Sequence, residues 1–576
     1  MPLQDWIHKL EEGAGAKIIK WLAAGLAFVV VAAIYDTFAY QGFSSPEAME
    51  NAQLARNLAQ GKGYVTDSIR PLDLYLLDRT EPGAAHKALR EGVPDLTHPP
   101  AYPVVLAGLM KALPFQFTAK QPWFYAPERW LAVFNQALLF AAVVLLFRIT
   151  RRLFDSRVAW LAAIVFAGTE LFWRFSLSGL STIFLEVIFL AMIFAMLALE
   201  GRARTMPAAS VAGWAIVVGA LAGLGALTRY AFGWVIVPAM LFCGWAVVRG
   251  RGRTAAIVFV SFAVVVAPWL ARNRMLSGSV FGTSVYALVE ETPPFQGETL
   301  ERSLNPEAAF KQMRTAYLKE KMFSNLQKIV GEELPTMGGN WLCAFFLVGL
   351  LIPFRNPALR RLRYFLVAAL LVFTLEQALG RTFLSAETPG LNTENMLVIL
   401  APLLFAYGAG LFCTLIDQLN LMTADVRGAA IGLFVVVACL PLALAALAPP
   451  QIPPTSPYAP KFVQATAHIM SEKELMMSDI PWAVAWYGQR PCLWLTLNDS
   501  DEFYRASALQ PVQAVYLTQR TTDSRLLTEL SGSTNSWGRF FWDCWAHGEV
   551  PGGFPLKKAP AGFLPDQMLV SDRVRW

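Results

Sequence analysis

Long apolar runs alternate along the chain with short basic breaks and with three long polar segments. A bilayer core of about 30 Å takes about 20 residues of helix, and each apolar run is long enough to cross it. The pattern therefore predicts an all-α polytopic membrane bundle with about eleven spanning helices. The predicted spans lie near 17–39, 130–149, 157–175, 179–199, 209–228, 231–248, 255–273, 340–354, 363–379, 395–416 and 428–448.

The breaks after the second, fourth, sixth and eighth spans are rich in arginine, and such loops face the cytoplasm. They contain Arg148, Arg151, Arg152, Arg157, Arg202, Arg204, Arg249, Arg251, Arg253, Arg355, Arg360, Arg361 and Arg363. The N-terminus is then predicted inside and the C-terminus outside. The first span is interpreted as an anchor, with a cleaved signal peptide as the alternative. All three polar segments become external: loop 1 (40–129), loop 2 (274–339) and the tail (449–576).

The tail is predicted to be a separate extracytoplasmic domain that follows a membrane domain at 1–448. It begins with a proline-rich linker at 449–457. Strand-like and helix-like stretches then alternate at 475–478, 482–487, 492–495 and 513–517, which favours a small α/β fold. Cys492 and Cys544 are the only cysteines outside the predicted spans, and in an oxidising compartment they either pair or stay free.

Composition agrees with a membrane protein: 55% of the 576 residues are apolar and only 16% are charged, against about 25% charged in soluble proteins. A disordered or collagen-like chain is excluded, and six cysteines are too few for a disulfide scaffold. The net charge of +6 orients the protein in the bilayer and does not indicate a nucleic-acid partner. Walker, dinucleotide and zinc motifs are missing from the sequence. Because the predicted cytoplasmic loops are too short to hold a nucleotide site and the long polar segments are external, any chemistry is predicted to occur on the external side.

Loop 1 contains the most informative segment. Ser45 suits an N-cap and Pro46 the first helical position, so a helix is predicted from there to Gly61. Glu47 and Glu50 are three residues apart and would share one face at the membrane surface. In the alternative interpretation, Glu47 only favours the helix N-terminus, by about 0.3–1 kcal/mol, and Glu50 is a solvated surface residue.

The stretches SSPEAMENAQLARNLAQGKGY at 44–64 and THPPAYP at 97–103 resemble the first external loop of the C-type membrane glycosyltransferases. Within these, the chain is similar to the bacterial branch related to protein O-mannosyltransferases and lipid A aminoarabinose transferases. LTRY at 227–230, PWLARN at 268–273 and SDIPWAVAWYG at 478–488 also resemble that family. The likeness extends over essentially the whole chain in order and topology.

The resemblance implies a polyprenyl-phosphate sugar donor and an acidic catalytic residue in loop 1. Glu47 occupies the position where the family normally has Asp, and Glu50 would assist it. Arg229 and Arg272, at predicted outer span ends, could bind the donor phosphate, with interfacial anchoring as the alternative. His98 is a further candidate for phosphate or a divalent cation, and otherwise a structural histidine.

Four more residues are predicted to contact substrate: Tyr230, Tyr102, Glu290 and Glu291. For the two glutamates, a solvated turn is the alternative. Before the tenth span, many relatives carry an Arg-Tyr pair, whereas this chain has Glu394-Asn395-Met396. Arg381 could supply the missing cation only if the fold brings it there.

The leading hypothesis is a glycosyltransferase of the bacterial inner membrane that uses a polyprenyl-phosphate sugar and acts on an unidentified glycan, lipid or protein acceptor outside. No metal ligand set is predicted, and a divalent cation is left open as a cofactor. The alternative is a non-catalytic member of the fold that serves as a scaffold or subunit of a membrane complex. A transporter ranks third, because the sequence lacks internal repeats.

Overall fold

The computed structural model of the protein describes residues 14–203, 207–246, 250–337, 342–351, 356–388, 391–419, 424–447, 458–522, 537–547, 550–560 and 567–576. Arg204, Arg249 and Arg355, which contribute to the predicted orientation, lie outside these residues, as does the proline linker at 449–457. The described part of the chain is mostly helical, as the apolar runs predict.

Loop 1 is a folded segment that follows helix α1 (Ala14–Ala39). It forms four helices and three short strands. These are α2 (Pro46–Ala59), β1 (Val65–Thr66), β2 (Ser68–Ile69), α3 (Pro71–Thr80), α4 (Ala84–Glu91), β3 (Val93–Pro94) and α5 (Ala101–Ala112). Strands β1 and β3 pair antiparallel and close the stretch 67–92 between them.

Two groups of helices flank loop 2. The first group contains α6 (Ala126–Leu153), α7 (Ser156–Ala167), α8 (Glu170–Leu177), α9 (Thr182–Arg202), α10 (Ala208–Ala226), a 3-10 turn (Tyr230–Val235), α11 (Ile236–Ala246) and α12 (Arg251–Ser277). Loop 2 contains 3-10 turns (Gly282–Leu288, Gly297–Thr299), α13 (Glu307–Phe310), α14 (Thr315–Lys328), a π turn (Ile329–Glu333) and α15 (Leu334–Thr336). The second group contains α16 (Leu342–Leu351), α17 (Pro357–Gly380), α18 (Leu384–Glu387), a 3-10 turn (Met396–Leu400), α19 (Ala401–Gln418) and α20 (Ala424–Leu447).

The predicted polytopic bundle is confirmed. Within the described ranges, eight helices are long and apolar enough to cross a membrane, and the bent pair α7–α8 makes nine if it is one span. Helices α9 and α19 are mostly buried and form the centre, whereas α1, α12 and α20 expose most of their apolar surface, as lipid-facing helices do. The predicted spans at 231–248 and 340–354 coincide with shorter helices, so the total of about eleven stays a prediction.

The predicted span at 157–175 coincides with two helices that are separated by a bend, and whether the pair is one span stays a prediction. Helices α7 and α8 meet at an angle of 52°. Thr169 is extended, with φ −88° and ψ 115°, and interrupts the helical hydrogen bonds. Gly168 packs so closely on Cys439 that an added Cβ would lie 2.1 Å from Sγ. Apolar residues continue on both sides of this break, so the hydropathy pattern alone does not reveal it.

The tail forms a small α/β unit, which confirms the predicted fold type. Its elements are α21 (Pro460–Ala467), β4 (Leu475–Ser478), α22 (Pro481–Ala483), a π turn (Val484–Gly488), β5 (Cys492–Trp494), α23 (Asp501–Leu509), β6 (Val512–Leu517), α24 (Gln519–Thr522), α25 (Trp537–His547) and β7 (Met568–Ser571). Cys492 lies in β5 and Cys544 in α25, and both are free thiols.

The sheet of this unit has the order β2-β5-β4-β6-β7. All neighbours are parallel except β6 and β7. Strand β2 belongs to loop 1, and Ser68 and Ile69 pair with Cys492 and Leu493. The sheet therefore joins loop 1 to the tail, although the sequence predicts the tail as a separate domain. The boundary at 449 itself stays a prediction.

Candidate active site

Helix α2 carries both predicted catalytic carboxylates. Ser45 is extended before it, Pro46 occupies its first turn, and Gly61 just beyond it has φ +80°. The predicted start and end of this helix are confirmed, although the Ser45 side chain makes no capping hydrogen bond. The helix packs on α5 and buries Ala48, Ala52 and Ala55 completely, which fixes the directions in which Glu47 and Glu50 point.

Glu47 lies in the first turn of α2, beside a buried arginine. The hydroxyl of Thr393 donates a hydrogen bond to Oε2 of Glu47, and the carbonyl of Thr393 accepts one from Nη1 of Arg229. Nη2 of Arg229 donates to the hydroxyls of Ser181 and Thr182, at 3.3 and 3.2 Å. Thr393 thus bridges the carboxylate and the cation, and both terminal nitrogens of Arg229 are occupied.

Three carboxylates surround Arg229. Burial lowers the pKa of Arg229 to about 10, against the opposing effect of Glu47, Glu376 and Glu394. The guanidinium therefore remains charged at neutral pH. Its Nε, like Oε2 of Glu376, has no hydrogen-bond partner within the described chain.

Glu394 stands where the resemblance predicts a cation. Its carboxylate accepts hydrogen bonds from the backbone N–H of Thr382, at 3.1 Å, and from the hydroxyls of Thr382 and Ser385. Burial raises the pKa of Glu394 above the ordinary range of a glutamate. Arg381 forms an ion pair with Glu333 of loop 2, so this arginine is already paired with a carboxylate other than Glu394.

Glu50 belongs to a different cluster from Glu47. Its Oε2 accepts a hydrogen bond from Arg70 at 2.7 Å and lies 3.3 Å from Nε2 of His98, while Oε1 accepts one from Ser68 at 3.1 Å. Burial alone would raise the pKa of Glu50, but Arg70 and His98 outweigh it and lower the pKa to about 2. Glu50 is thus a permanent carboxylate, and the structure does not bring it together with Glu47.

His98 lies between two carboxylates. Nδ1 is 3.0 Å from Oδ2 of Asp95, and Nε2 faces Glu50. Burial alone would lower the pKa of His98, but Asp95 and Glu50 outweigh it and raise the pKa to about 10. The ring is therefore an imidazolium at neutral pH, and both of its N–H groups are already used within the protein.

Arg272 differs from Arg229 in that one of its terminal nitrogens remains available to a ligand. Its Nη1 donates to the carbonyl of Asp95 at 2.8 Å and to the side chain of Asn273 at 3.0 Å. The guanidinium lies over the rings of Trp269 and Tyr64, with distances of 4.5 and 5.5 Å to the ring centroids. Nε and Nη2 make no hydrogen bond with a described residue, and the side chain is only partly buried. This geometry presents two donors from a fixed, planar group.

The two predicted tyrosines are engaged by neighbouring groups. The hydroxyl of Tyr230 accepts hydrogen bonds from Trp269 at 2.8 Å and from Asn273 at 2.9 Å, beside Arg272. Tyr102 is completely buried and donates to the carbonyl of Gly179 at 3.1 Å. Tyr230 thus borders the Arg272 site, whereas Tyr102 lies in the packed core.

Glu290 and Glu291 lie in a turn of loop 2. Burial raises the pKa of Glu290 well above the ordinary range, and its backbone carbonyl accepts a hydrogen bond from Lys321 at 2.7 Å. Glu291 has φ +57°, and its Oε1 accepts a hydrogen bond from the backbone N–H of Gly297 at 3.0 Å. Glu291 therefore closes the turn, which agrees with the alternative given for it above.

Sequence reasoning missed Arg70, Asp95 and Thr393. Asp95 stands three residues before His98, and this spacing is the one local signal that could have paired them. Arg70 and Thr393 are brought to their partners by the tertiary fold, so local patterns give no indication of them.

The described residues contain no group of three or more His, Cys, Asp or Glu side chains that could bind a metal ion. The carboxylates around Arg229 already have a cation among them. A divalent-cation cofactor therefore has no preformed site in this part of the chain.

Comparisons with known proteins agree with this architecture. The sequence model of the dolichyl-phosphate-mannose-protein mannosyltransferase family matches residues 124–271. A crystal structure of ArnT from Cupriavidus metallidurans bound to undecaprenyl phosphate aligns with 97% of this chain and 99% of its own, at 11% identity and a TM-score of 0.55. The chain has the C-type glycosyltransferase fold.

Oligosaccharyltransferase structures from Archaeoglobus fulgidus share the C-type fold. A complex with Zn and sulfate aligns with 87% of this chain and 69% of its own, at 14% identity and a TM-score of 0.51. A structure tethered to an acceptor peptide aligns with 90% of this chain and 70% of its own, at 12% identity and a TM-score of 0.50. No curated protein sequence matches the chain. Because the sequence identities are only 11–14%, the likeness establishes the fold of the protein alone.

Proposed function

We propose that this C-type protein transfers a sugar from a polyprenyl-phosphate donor to an acceptor on the extracytoplasmic side of the bacterial inner membrane. The observation that carries the proposal is the contact of Glu47 with Thr393, which also binds the buried Arg229. A general base must be held in a fixed position, and this arrangement does so. The likeness to an ArnT structure bound to undecaprenyl phosphate supports the class of donor.

Glu47 is the proposed base that removes the proton of the acceptor hydroxyl. Thr393 orients its carboxylate, and the carbonyl of the same threonine accepts a hydrogen bond from Arg229. Because both terminal nitrogens of Arg229 are occupied, we assign it to orienting Glu47 rather than to the leaving phosphate.

Arg272 is the proposed phosphate ligand. Guanidinium groups bind phosphate oxygens through two parallel N–H donors, and Nε and Nη2 of Arg272 supply such a pair. Cation–π contacts with the adjacent rings of Trp269 and Tyr64 keep the guanidinium in place. As the phosphate leaves, this fixed cation would stabilise its growing charge.

His98 and Glu50 have a supporting role in this scheme. Together with Arg70 and Asp95 they form a buried ionic network, and the carbonyl of Asp95 accepts a hydrogen bond from Arg272. The network therefore supports the phosphate ligand through the backbone carbonyl of Asp95.

The proposal is tested by transfer assays with the purified full-length protein in lipid nanodiscs. Radiolabelled polyprenyl-phosphate sugars and candidate acceptor glycans, lipids and peptides are supplied in combination. We expect label to move from one lipid donor to one class of acceptor. If no donor in a broad panel is consumed, while lipid phosphate still binds, the transferase assignment fails.

A non-catalytic subunit is the second candidate function. It is favoured by Glu394, a partly buried carboxylate at the position where the resemblance predicts a cation. Stable purification within a larger membrane complex, without any transfer activity, would support this alternative.

A further inference from the structure

A tryptophan of the tail is connected to both ends of the helix that carries Glu47. The indole Nε1 of Trp486 donates to Oε1 of Glu128 at 2.9 Å, and Oε2 of Glu128 accepts a hydrogen bond from the backbone N–H of Phe43 at 3.0 Å. Phe43 lies four residues before Glu47 in the chain. All of these contacts are buried, so water does not compete for them.

The aromatic rings reinforce the same contact. The ring of Phe43 stacks on that of Trp486, with centroids 6.4 Å apart and planes at 15°. The outer edge of the Phe43 ring lies against Gly179, where an added Cβ would come within 2.4 Å of the ring. The residue that leads into α2 is thus held between the tail and the bundle.

The second half of α2 is attached to the same part of the tail. Arg56 is almost fully buried, and it donates from Nη1 to the carbonyl of Trp486 and from Nη2 to that of Ala485, both at 2.9 Å. Nη2 also pairs with Asp67 of loop 1 at 3.0 Å. Trp486 is therefore linked through its indole N–H and Glu128 to Phe43, which precedes α2, and through its carbonyl to Arg56 within α2.

Two other buried tryptophans of the tail have different surroundings. Nε1 of Trp482 donates to Tyr458 within the tail, and Nε1 of Trp537 is buried without a partner among the described residues. Packing in the tail alone would not require the indole N–H of Trp486 to reach Glu128, which belongs to the first turn of α6.

We infer that Trp486 is a positioning residue for the reaction: through Glu128 and Phe43 it fixes the start of α2 and hence the place of Glu47. The inference rests on the proposed role of Glu47. It makes the tail part of the catalytic unit, because a base displaced by about 1 Å loses up to about a hundredfold in rate.

The test compares Trp486→Phe with Trp537→Phe in the full-length protein. Both variants remove an indole from a buried site of the tail, but only the first one breaks the bond to Glu128. We expect Trp486→Phe to lower kcat about tenfold with KM for the donor within about twofold, because the base moves and the phosphate ligand does not. Trp537→Phe should retain the wild-type kcat.

Epistasis and hydrogen exchange separate positioning from a merely structural effect. In a Glu47→Gln background, Trp486→Phe should have no further effect on residual transfer, since it acts through Glu47. Amide exchange at residues 43–50 should accelerate at least fivefold in Trp486→Phe and stay unchanged in Trp537→Phe.

The inference is overturned if exchange at 43–50 is the same in Trp486→Phe as in the wild type, or if Trp537→Phe shows the same acceleration. An equal loss of kcat with and without Glu47 also overturns it. If the wild-type protein transfers no sugar but exchange at 43–50 still responds to Trp486→Phe alone, the link to α2 is upheld and the proposed function fails.

Discussion

At the scale of single residues, Thr393 connects the two charges of the candidate site. Its hydroxyl donates a hydrogen bond to Glu47, and its carbonyl accepts one from Arg229, so the side chain and the backbone contact different partners. Thr393→Val removes only the hydroxyl and preserves the shape. We expect kcat to fall about tenfold, because one hydrogen bond to a charged group contributes about 1.5–3 kcal/mol, with Thr393→Ser close to wild type. A wild-type kcat in the valine variant would remove Thr393 from the mechanism.

Substitutions of Arg229 and Arg272 are expected to change different kinetic constants. Lysine keeps the charge but loses the planar pair of donors. Arg272→Lys should therefore raise KM for the donor about tenfold and weaken the binding of polyprenyl phosphate measured by native mass spectrometry. Arg229→Lys should lower kcat and leave that binding within about twofold. If the two effects are exchanged, the assignment of the phosphate ligand is wrong.

His98 makes the stability of loop 1 depend on pH. Its pKa is raised to about 10 in the folded protein, from an unfolded value of about 6.5. The stabilisation is thus complete below pH 6.5 and is lost as the pH rises through 10. His98→Gln should lower the melting temperature most at pH 6.5, and the difference from wild type should shrink towards pH 10. A difference that is constant with pH would contradict the ionic role.

At the scale of elements, local signals were enough to predict α2 but not its partners. Ser45, Pro46 and Gly61 act on the backbone next to them, so the helix bounds follow from the sequence. The partners of Glu50 depend on how loop 1 folds back on itself, and the partner of Glu47, Thr393, is 346 positions away. The same limit applies to β2, whose two residues pair with the tail and are too short to form a recognisable strand pattern.

The attachment of α2 to the tail depends on the geometry of one arginine. Arg56 binds two carbonyl groups and Asp67 at once, which lysine cannot do. Arg56→Lys should lower the free energy of unfolding by about 2 kcal/mol, because it leaves buried carbonyls unpaired. The exposed Arg79→Lys in α3 is the control and should leave the melting temperature unchanged. Equal melting temperatures for both variants would show that the contact does not stabilise the protein.

At the scale of the whole molecule, the apolar runs predicted the helical bundle, and the alternating strand-like and helix-like stretches of the tail predicted a small α/β fold. Both predictions are confirmed. The connection between them was not predictable, because it consists of side-chain contacts and of strand β2, which loop 1 contributes to the sheet of the tail. Loop 1 is held by the sheet through β2, by Arg56 and by the Trp486–Glu128 bond. The active site proposed here thus depends on the tail as well as on the membrane helices. The orientation of the bundle in the membrane stays a prediction.

The most direct test of the central claim is single-turnover transfer by Glu47→Gln. The full-length variant is assayed with saturating polyprenyl-phosphate sugar, beside Glu91→Gln, which changes an exposed glutamate of the same loop. Loss of a general base costs about 10²–10⁴-fold, so Glu47→Gln should fall by at least a hundredfold while Glu91→Gln matches the wild type. Wild-type transfer by a folded Glu47→Gln protein would contradict the account.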